Sequence, residues 1–227
     1  MSNYVISLGG SLIVPDQIDT EFLKSFRKLI LKFVAKGDNF VIVCGGGKVC
    51  RRYTAALSEI IKATKEQKDW VGIYATWLNA KFIQAMFKDK AYKDVIIEVD
   101  KKLGKVNEKI IVAGGWKPGC STDNDAVLLA QKFKINNIIN LTDIDYVYDK
   151  DPKKFSDAKP LKNLTWKEYK KIIGGKWTPG LHLPFDPLAS KLAEQLKYSV
   201  AILNGTKLKN LNNYLLGRKF TGTVLTK

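Results

Sequence analysis

Three glycine-bearing turns are the parts of this sequence whose residue types and spacing best suit chemistry. Gly9 and Gly10 follow an apolar run that ends at Leu8, and Gly45, Gly46 and Gly47 follow another that ends at Cys44. Glycine lets a backbone N–H approach an anion with no Cβ in the way. Each turn leads into a probable helix, whose N-terminal dipole favours a bound phosphate by roughly 0.3 to 1 kcal/mol. One such turn says little, because a tight strand-to-helix connection also uses glycine. Two in one sheet, the second followed by Lys48, Arg51 and Arg52, point to bound phosphate. The third segment, AGGWKPGCSTDNDA from Ala113 to Ala126, combines Gly114, Gly115 and Gly119 with the charge of Lys117. Ser121, Thr122 and Asp123 in it form a helix N-cap group, so it describes a second anion pocket facing the first.

Other chemistries are excluded by what surrounds these turns. The pattern GxxxxGK[ST] is missing, and Gly45 and Gly47 have Cys50, not glycine, three residues on, so neither common nucleotide fingerprint applies. His182 is the single histidine, which removes any site built on two imidazoles and leaves no support for a hydrolase triad. Cys44, Cys50 and Cys120 form no CxxC pair, so neither structural zinc nor a disulfide framework is expected, and the compartment is a reducing one. The net charge of +16 is mostly lysine spread over helix faces, as at Lys167, Lys170 and Lys171, without a recognisable nucleic-acid motif. No nucleic-acid partner is therefore expected. No apolar run approaches the roughly 20 residues that span a bilayer, and MSNYVISLGG is strand-like, so no membrane association is expected and a cytoplasmic protein is.

The elements that must position the turns can be read from periodicity. Strands are expected at Tyr4–Leu8, Phe40–Cys44, Asp94–Val99, Lys109–Ala113, Asn137–Leu141 and Ser199–Leu203, with a closing strand at Phe220–Thr226. Amphipathic helices are expected at Glu21–Val34, Lys48–Ile61, Trp70–Phe87, Asp125–Phe133 and Pro187–Leu196. Such alternation predicts an α/β fold, a three-layer αβα sandwich around a mostly parallel sheet. Hydrophobic residues make up 45% of the 227, enough to bury that core, so residues 1–227 read as a single domain. Its two lobes divide near residue 135, as 1–135 and 136–227. In Trp70–Phe87 the aromatic residues Trp70, Tyr74, Trp77 and Phe82 read first as core and second as a subunit interface.

Taken in order, ISLGGSLIVP (Ile6 to Pro15), VIVCGGGKVCRRY (Val41 to Tyr53), KDWVGIYATWLNA (Lys68 to Ala80), AGGWKPGCSTDNDA, NLTDIDYVYDKDP (Asn140 to Pro152) and LPFDPLASKLAEQL (Leu183 to Leu196) carry a resemblance over nearly the whole chain. The chain resembles the archaeal-type UMP kinases of the amino-acid-kinase superfamily. That resemblance implies transfer of the ATP γ-phosphate to UMP, giving UDP and ADP in pyrimidine biosynthesis, with Mg²⁺ arriving with ATP. It implies that Gly9, Gly10 and Ser11 lie along the ATP phosphates, that Gly45 faces the UMP phosphate, and that Gly46 and Arg51 face ATP. Asp69 would accept from the nucleoside, and Gly115, Trp116, Lys117, Pro118, Gly119, Cys120, Ser121 and Thr122 would hold UMP. Thr142, Asp143, Tyr148 and Asp151 would frame the adenosine side. The catalytic candidates are Arg51, Lys48, Asp143, which matches an aspartate that orients a lysine in relatives, and Lys191, in the segment with Asp186 that completes the site. No protein metal ligands are expected.

The same resemblance makes residues 1–135 the acceptor lobe and 136–227 the ATP lobe, and it implies a homo-oligomer, a hexamer built from dimers. Ser7 departs from the family, where lysine or aspartate is common, so Lys48 or Lys191 would have to supply that charge. Trp116, Lys117 and Cys120 stand where threonine and histidines are common. Two other readings stand beside this one: a kinase of the same family for another phosphate or carboxylate acceptor, and a catalytically silent nucleotide-binding assembly protein.

Overall fold

Strict alternation of buried side chains builds the central sheet. In β1 (Asn3–Leu8) Val5 faces one side and Ile6 and Leu8 the other; in β2 (Asn39–Cys44) Val41 and Val43 oppose Phe40, Ile42 and Cys44. Strands buried on both faces read as continuous apolar runs and suit parallel pairing between helical layers. In the computed structural model, which describes residues 1–150, 152, 154–173 and 183–227, β3 (Ile110–Ala113), β2, β1, β4 (Asn137–Thr142) and β8 (Ser199–Asn204) lie side by side and parallel. At one edge β9 (Thr223–Thr226) adds antiparallel to β8, and β7 (Asn163–Thr165) then pairs parallel with β9. A separate two-stranded ribbon joins β5 (Val147–Tyr148) to β6 (Pro160–Leu161).

Helices cover both faces. On one side α2 (Thr20–Val34) presents Leu23, Phe26, Ile30 and Phe33, spaced three or four apart, together with α4 (Lys65–Phe87) and α8 (Leu208–Leu215). On the other, α5 (Thr122–Lys132), α6 (Trp166–Ile172) and α7 (Pro187–Gln195) pack around Trp166, Tyr169 and Phe185. The architecture is the expected three-layer αβα sandwich. Local start signals are clear here: Asp19 caps α2 by accepting from Phe22 N–H, and Thr64 and Gln67 form a capping box that starts α4 five residues before Trp70.

Some expectations fail for reasons of partnership. Asp94–Val99 is not a strand: only an isolated bridge pairs Ile96 with Ala113, because this stretch lies at the sheet's open edge beside the short β3. The closing strand shortens to Thr223–Thr226, where β8 supplies partners. In α4 the inner positions Ile73, Ala80, Ile83 and Phe87 are core, but Trp70, Tyr74 and Phe82, with Leu78, are exposed. The core reading is therefore corrected for those three aromatic residues.

Candidate functional site

Register brings the turns together. Leu8 lies beside Cys44 and Leu141, Val43 beside Ala113, and Thr142 beside Asn204. The residues that follow therefore leave the sheet along one edge, at the carboxyl ends of five parallel strands. β1 sits where the strand order reverses, between β2 and β4, and crevices at such switch points are where ligands bind in open α/β sheets. Gly9 N–H donates to Leu141 O at 3.0 Å and Gly45 N–H to Leu8 O at 3.0 Å, which fixes both turns to the sheet.

The first two turns touch backbone to backbone. A Cβ on Gly10 would lie 2.6 Å from the Gly45 carbonyl carbon and 2.7 Å from its oxygen, and closer still to Gly47 N. Only glycine permits that approach. The one-turn helix α1 (Gly10–Ile13) thus rests on the N-terminus of α3 (Gly47–Ile60), where Lys48 N–H also donates to Val14 O at 3.1 Å.

Helix α4 ties the second turn to the third. Asn79 Nδ2 donates to Gly45 O at 2.8 Å, Gly115 N–H donates to Thr76 Oγ1 at 2.7 Å, and Trp77 Nε1 donates to Gly115 O at 2.7 Å. About two turns before Thr76 on the helix, the Asp69 carboxylate accepts from Gly119 N–H at 3.0 Å. A spacing of seven residues puts 69 and 76 on one side of the helix, so the segment Gly115–Gly119 is held along its length.

Two carboxyls stand at the start of α5, behind its cap, where Ser121 Oγ accepts from Asn124 N–H. Asp123 accepts from Ser7 Oγ at 2.9 Å and from Asp186 N–H at 3.2 Å, so Ser7 is a buried partner of a carboxyl and brings no charge of its own. Burial pushes the Asp123 pKa up to about 6, against the opposing pull of those two hydrogen bonds. Asp125 is fully buried and accepts from Trp116 N–H at 3.1 Å; burial first, with the neighbouring Asp123 adding to it, pushes its pKa up to about 7.

On the other side of β1, Thr142 Oγ1 donates to its neighbour Asp143 at 3.2 Å, and Asp143 is exposed. Asn204 Nδ2 donates to Asp143 O and to Asp145, which Lys207 also pairs at 2.7 Å. Tyr148, in the small ribbon, meets Tyr146 edge-on with centroids 6.3 Å apart. The segment before α7 is pinned across this end of the sheet. Asn140 Nδ2 donates to Pro184 O at 2.7 Å, while the buried Tyr169 hydroxyl donates to Phe185 O and accepts from Phe185 N–H, both at 2.8 Å. Asp186 then caps α7 through Ala189 N–H.

The sequence-derived candidates are placed unevenly. Gly9, Gly10, Ser11, Gly45, Gly46, Asp69 and the run Gly115–Thr122 sit on the three linked turns and the helix that braces them. Arg51 is exposed on α3; its carbonyl accepts from Thr54 Oγ1 at 3.2 Å, and its side chain makes no ion pair or hydrogen bond with a described residue. Lys48 instead reaches Asp16 at 3.4 Å, a carboxylate it shares with Arg52 at 2.7 Å. Lys191 is exposed on α7, and no ion pair joins it to Asp143. Asp151 and His182 lie outside the described residues. Thr76, Asn79, Tyr169, Asn204 and Asp125 were not singled out from sequence, and Trp77 only as a core or interface aromatic. The one local signal was polar residues set among apolar ones, as at Asn79 in α4 and Asp125 ahead of Ala126 and Val127 in α5. Among the described residues no group of three or more His, Cys, Asp or Glu could hold a metal ion, and no helix is long and apolar enough to cross a membrane.

Comparison with known proteins agrees with this geometry. A model of the amino acid kinase family matches residues 3–204. The chain is 33% identical over 225 residues to a uridylate kinase of Methanobrevibacter smithii, spanning 98% of this chain and 99% of that one. It is 35% identical over 216 residues to a uridylate kinase of Thermoplasma volcanium, spanning 94% and 93%. Its structure is similar to the crystal structure of uridylate kinase from Archaeoglobus fulgidus, with a TM-score of 0.84, 32% identity and full coverage of both chains.

Proposed function

This chain belongs to the amino acid kinase family, and we propose that it is a UMP kinase, a phosphotransferase that moves the γ-phosphate of ATP directly onto the phosphate of UMP, giving UDP and ADP in pyrimidine nucleotide synthesis. The single observation that supports it most is the backbone contact between the Gly9–Gly10 and Gly45–Gly47 turns, with Asn79 and Thr76 tying the third turn to them. Two phosphates that must meet in line need donors converging from two sides, and in this reading the turns supply them through groups other than the Gly9, Gly45, Gly115 and Gly119 N–H, which already donate within the protein.

The acceptor determines what the protein must do. A nucleoside monophosphate has a second pKa near 6, so its attacking oxygen is already largely deprotonated at neutral pH. No side chain has to remove a proton; the work is to hold two polyanions that repel and to stabilise charge spread over the transferring phosphoryl group. In this reading residues 1–135 hold UMP through Gly45, Asp69 and Gly115–Thr122, and residues 136–227 hold the nucleoside end of ATP through Thr142, Asp143, Tyr148 and Asp151. Gly9, Gly10, Ser11 and Gly46 line the ATP phosphates. Arg51, whose side chain has no partner among the described residues, is the readiest cation for the transition state in this reading, with Lys48 and Lys191 as the further candidates. Mg²⁺ would arrive on the triphosphate oxygens and water, where it would neutralise phosphate charge.

The same reading extends to assembly and location. Trp70, Tyr74, Leu78 and Phe82 repeat every four residues along the outer side of α4 and are 37%, 61%, 64% and 42% exposed. An exposed apolar stripe supports a homo-oligomer built on this face, a dimer first and a hexamer built from dimers beyond it. A cytoplasmic site of action goes with pyrimidine synthesis.

The direct test is a panel of UMP, CMP, dUMP, acetylglutamate and isopentenyl phosphate with Mg-ATP, following ADP release and the phosphorylated product. UMP should be turned over with the highest kcat/KM. Turnover of another acceptor in place of UMP, or ATP binding without turnover of any, would reject the proposal.

A further inference from the structure

We propose that Asp125 is a positioning residue of the acceptor loop, holding the Trp116 backbone N–H with its buried carboxylate and thereby setting where the Lys117 ammonium stands. This rests on the reading above, in which Gly115–Thr122 takes UMP. Asp125 is 0% exposed, at the fourth position of α5, directly ahead of the core residues Ala126 and Val127. One carboxylate oxygen accepts from Trp116 N–H at 3.1 Å; the other, Oδ1, is buried and has no hydrogen-bond partner among the described residues. Nearly all buried polar atoms in folded proteins are paired, and a carboxylate left half-satisfied costs stability. Asparagine would hold the same N–H without a charge, and alanine would leave a plain core position. The acceptor oxygen at this position is therefore explained by the Trp116 N–H it holds.

The backbone of the rest of this loop is held from α4. Gly115, through both its N–H and its carbonyl, and Gly119 are bound by Thr76, Trp77 and Asp69 of α4. Asp125 is the contact from α5 that closes the loop from behind. Lys117 Nζ lies 3.9 Å above the Trp116 ring, so fixing the Trp116 backbone also places that cation, and the negative charge of Asp125 attracts it. The charged groups around the carboxyl are Asp123 on its own helix and Lys117 on the loop, and Cys120 lies within reach of its field.

Asp125→Ala and Asp125→Asn separate positioning from structure. The Ala variant should melt at the native temperature or above, since it removes a half-paired buried carboxylate, yet raise the KM for UMP about tenfold, the worth of one charge-assisted hydrogen bond. The KM for ATP should stay unchanged, and Asn, whose carbonyl still accepts from Trp116 N–H, should restore most of the UMP KM. Amide hydrogen exchange gives a readout that does not depend on substrate identity: exchange should speed up in the peptide spanning 115–120 in the Ala variant, not in α2 or α8, and return in the Asn variant. Unchanged exchange at 115–120 overturns the proposal whatever the enzyme phosphorylates, and so does faster exchange with an unaltered UMP KM. Failure of the native enzyme to turn over UMP would sink the substrate reading, and the exchange data would then decide Asp125 alone.

Discussion

Replacing Thr76 with Val tests whether α4 holds the acceptor turn. Thr76 Oγ1 accepts from Gly115 N–H at 2.7 Å and donates to Ile73 O at 2.6 Å, both contacts buried. Valine keeps the volume and β-branching of threonine and deletes only the hydroxyl, so neither a cavity nor a clash complicates the result. Ile73 O loses little, because a helix carbonyl keeps its main-chain partner. Gly115 N–H loses its partner inside the protein, and a buried donor left unpaired costs about 1 to 3 kcal/mol. Serine keeps the hydroxyl and drops a methyl, costing about 0.8 kcal/mol. Urea denaturation at pH 7 should therefore rank native above Ser above Val at constant m-value. The KM for UMP should rise in Val and not in Ser, with the KM for ATP unchanged. A Val variant as stable as the Ser variant would show that Gly115 N–H finds another partner, and the bracing role of α4 would be refuted. Equal rises in both KM values would detach the third turn from the acceptor alone.

The remaining predictions concern the other contacts. Gly10→Ala forces the added Cβ into the Gly45–Gly47 backbone and should cost about 1 to 3 kcal/mol and most of the activity, whereas Gly104→Ala, where a Cβ meets nothing within 4 Å, should leave activity unchanged; thermal melts and initial rates check both. Asp125→Asn should gain stability on the native chain as pH rises. The folded carboxyl, raised from 3.8 to about 7, keeps a proton that the unfolded chain releases, so its contribution is present below about pH 4 and lost as pH climbs through 7. The gain at pH 8 over pH 4 is bounded at about 4 kcal/mol, and urea titrations at the two pH values measure it. Leu78→Glu puts a charge in the middle of the exposed α4 stripe and should lower the mass seen by light scattering without changing the melting of the subunit; an unchanged mass would place the interface elsewhere.

Most of the sheet was legible because burial on both faces leaves a strong local record. Tyr4–Leu8, Phe40–Cys44 and Ser199–Leu203 are apolar runs that no helix period explains, and each is a strand within a residue or two. Asp94–Val99 carries the same local preference, but strand formation needs a partner along its length, and the edge beyond β3 provides only the bridge at Ile96. The small ribbon of β5 and β6 and the strand β7 were missed for the converse reason: two or three residues of pairing leave almost no periodic trace. In α4 the mixture of aromatic residues on both sides hid which side faces the core; the structure puts Ile73 and Ile83 inside and Tyr74 and Leu78 outside.

The sequence by itself determined the alternating pattern, the three glycine turns and the caps, since each depends on side chains only a few residues apart and on backbone freedom that glycine alone supplies. Only the tertiary structure decided which groups meet: Ser7 with Asp123 across 116 residues, Thr76 with Gly115 across 39, Asn79 with Gly45 across 34. Such pairs follow from parallel register and from where α4 crosses the sheet, and both are set by packing of the whole core, which local periodicity does not encode.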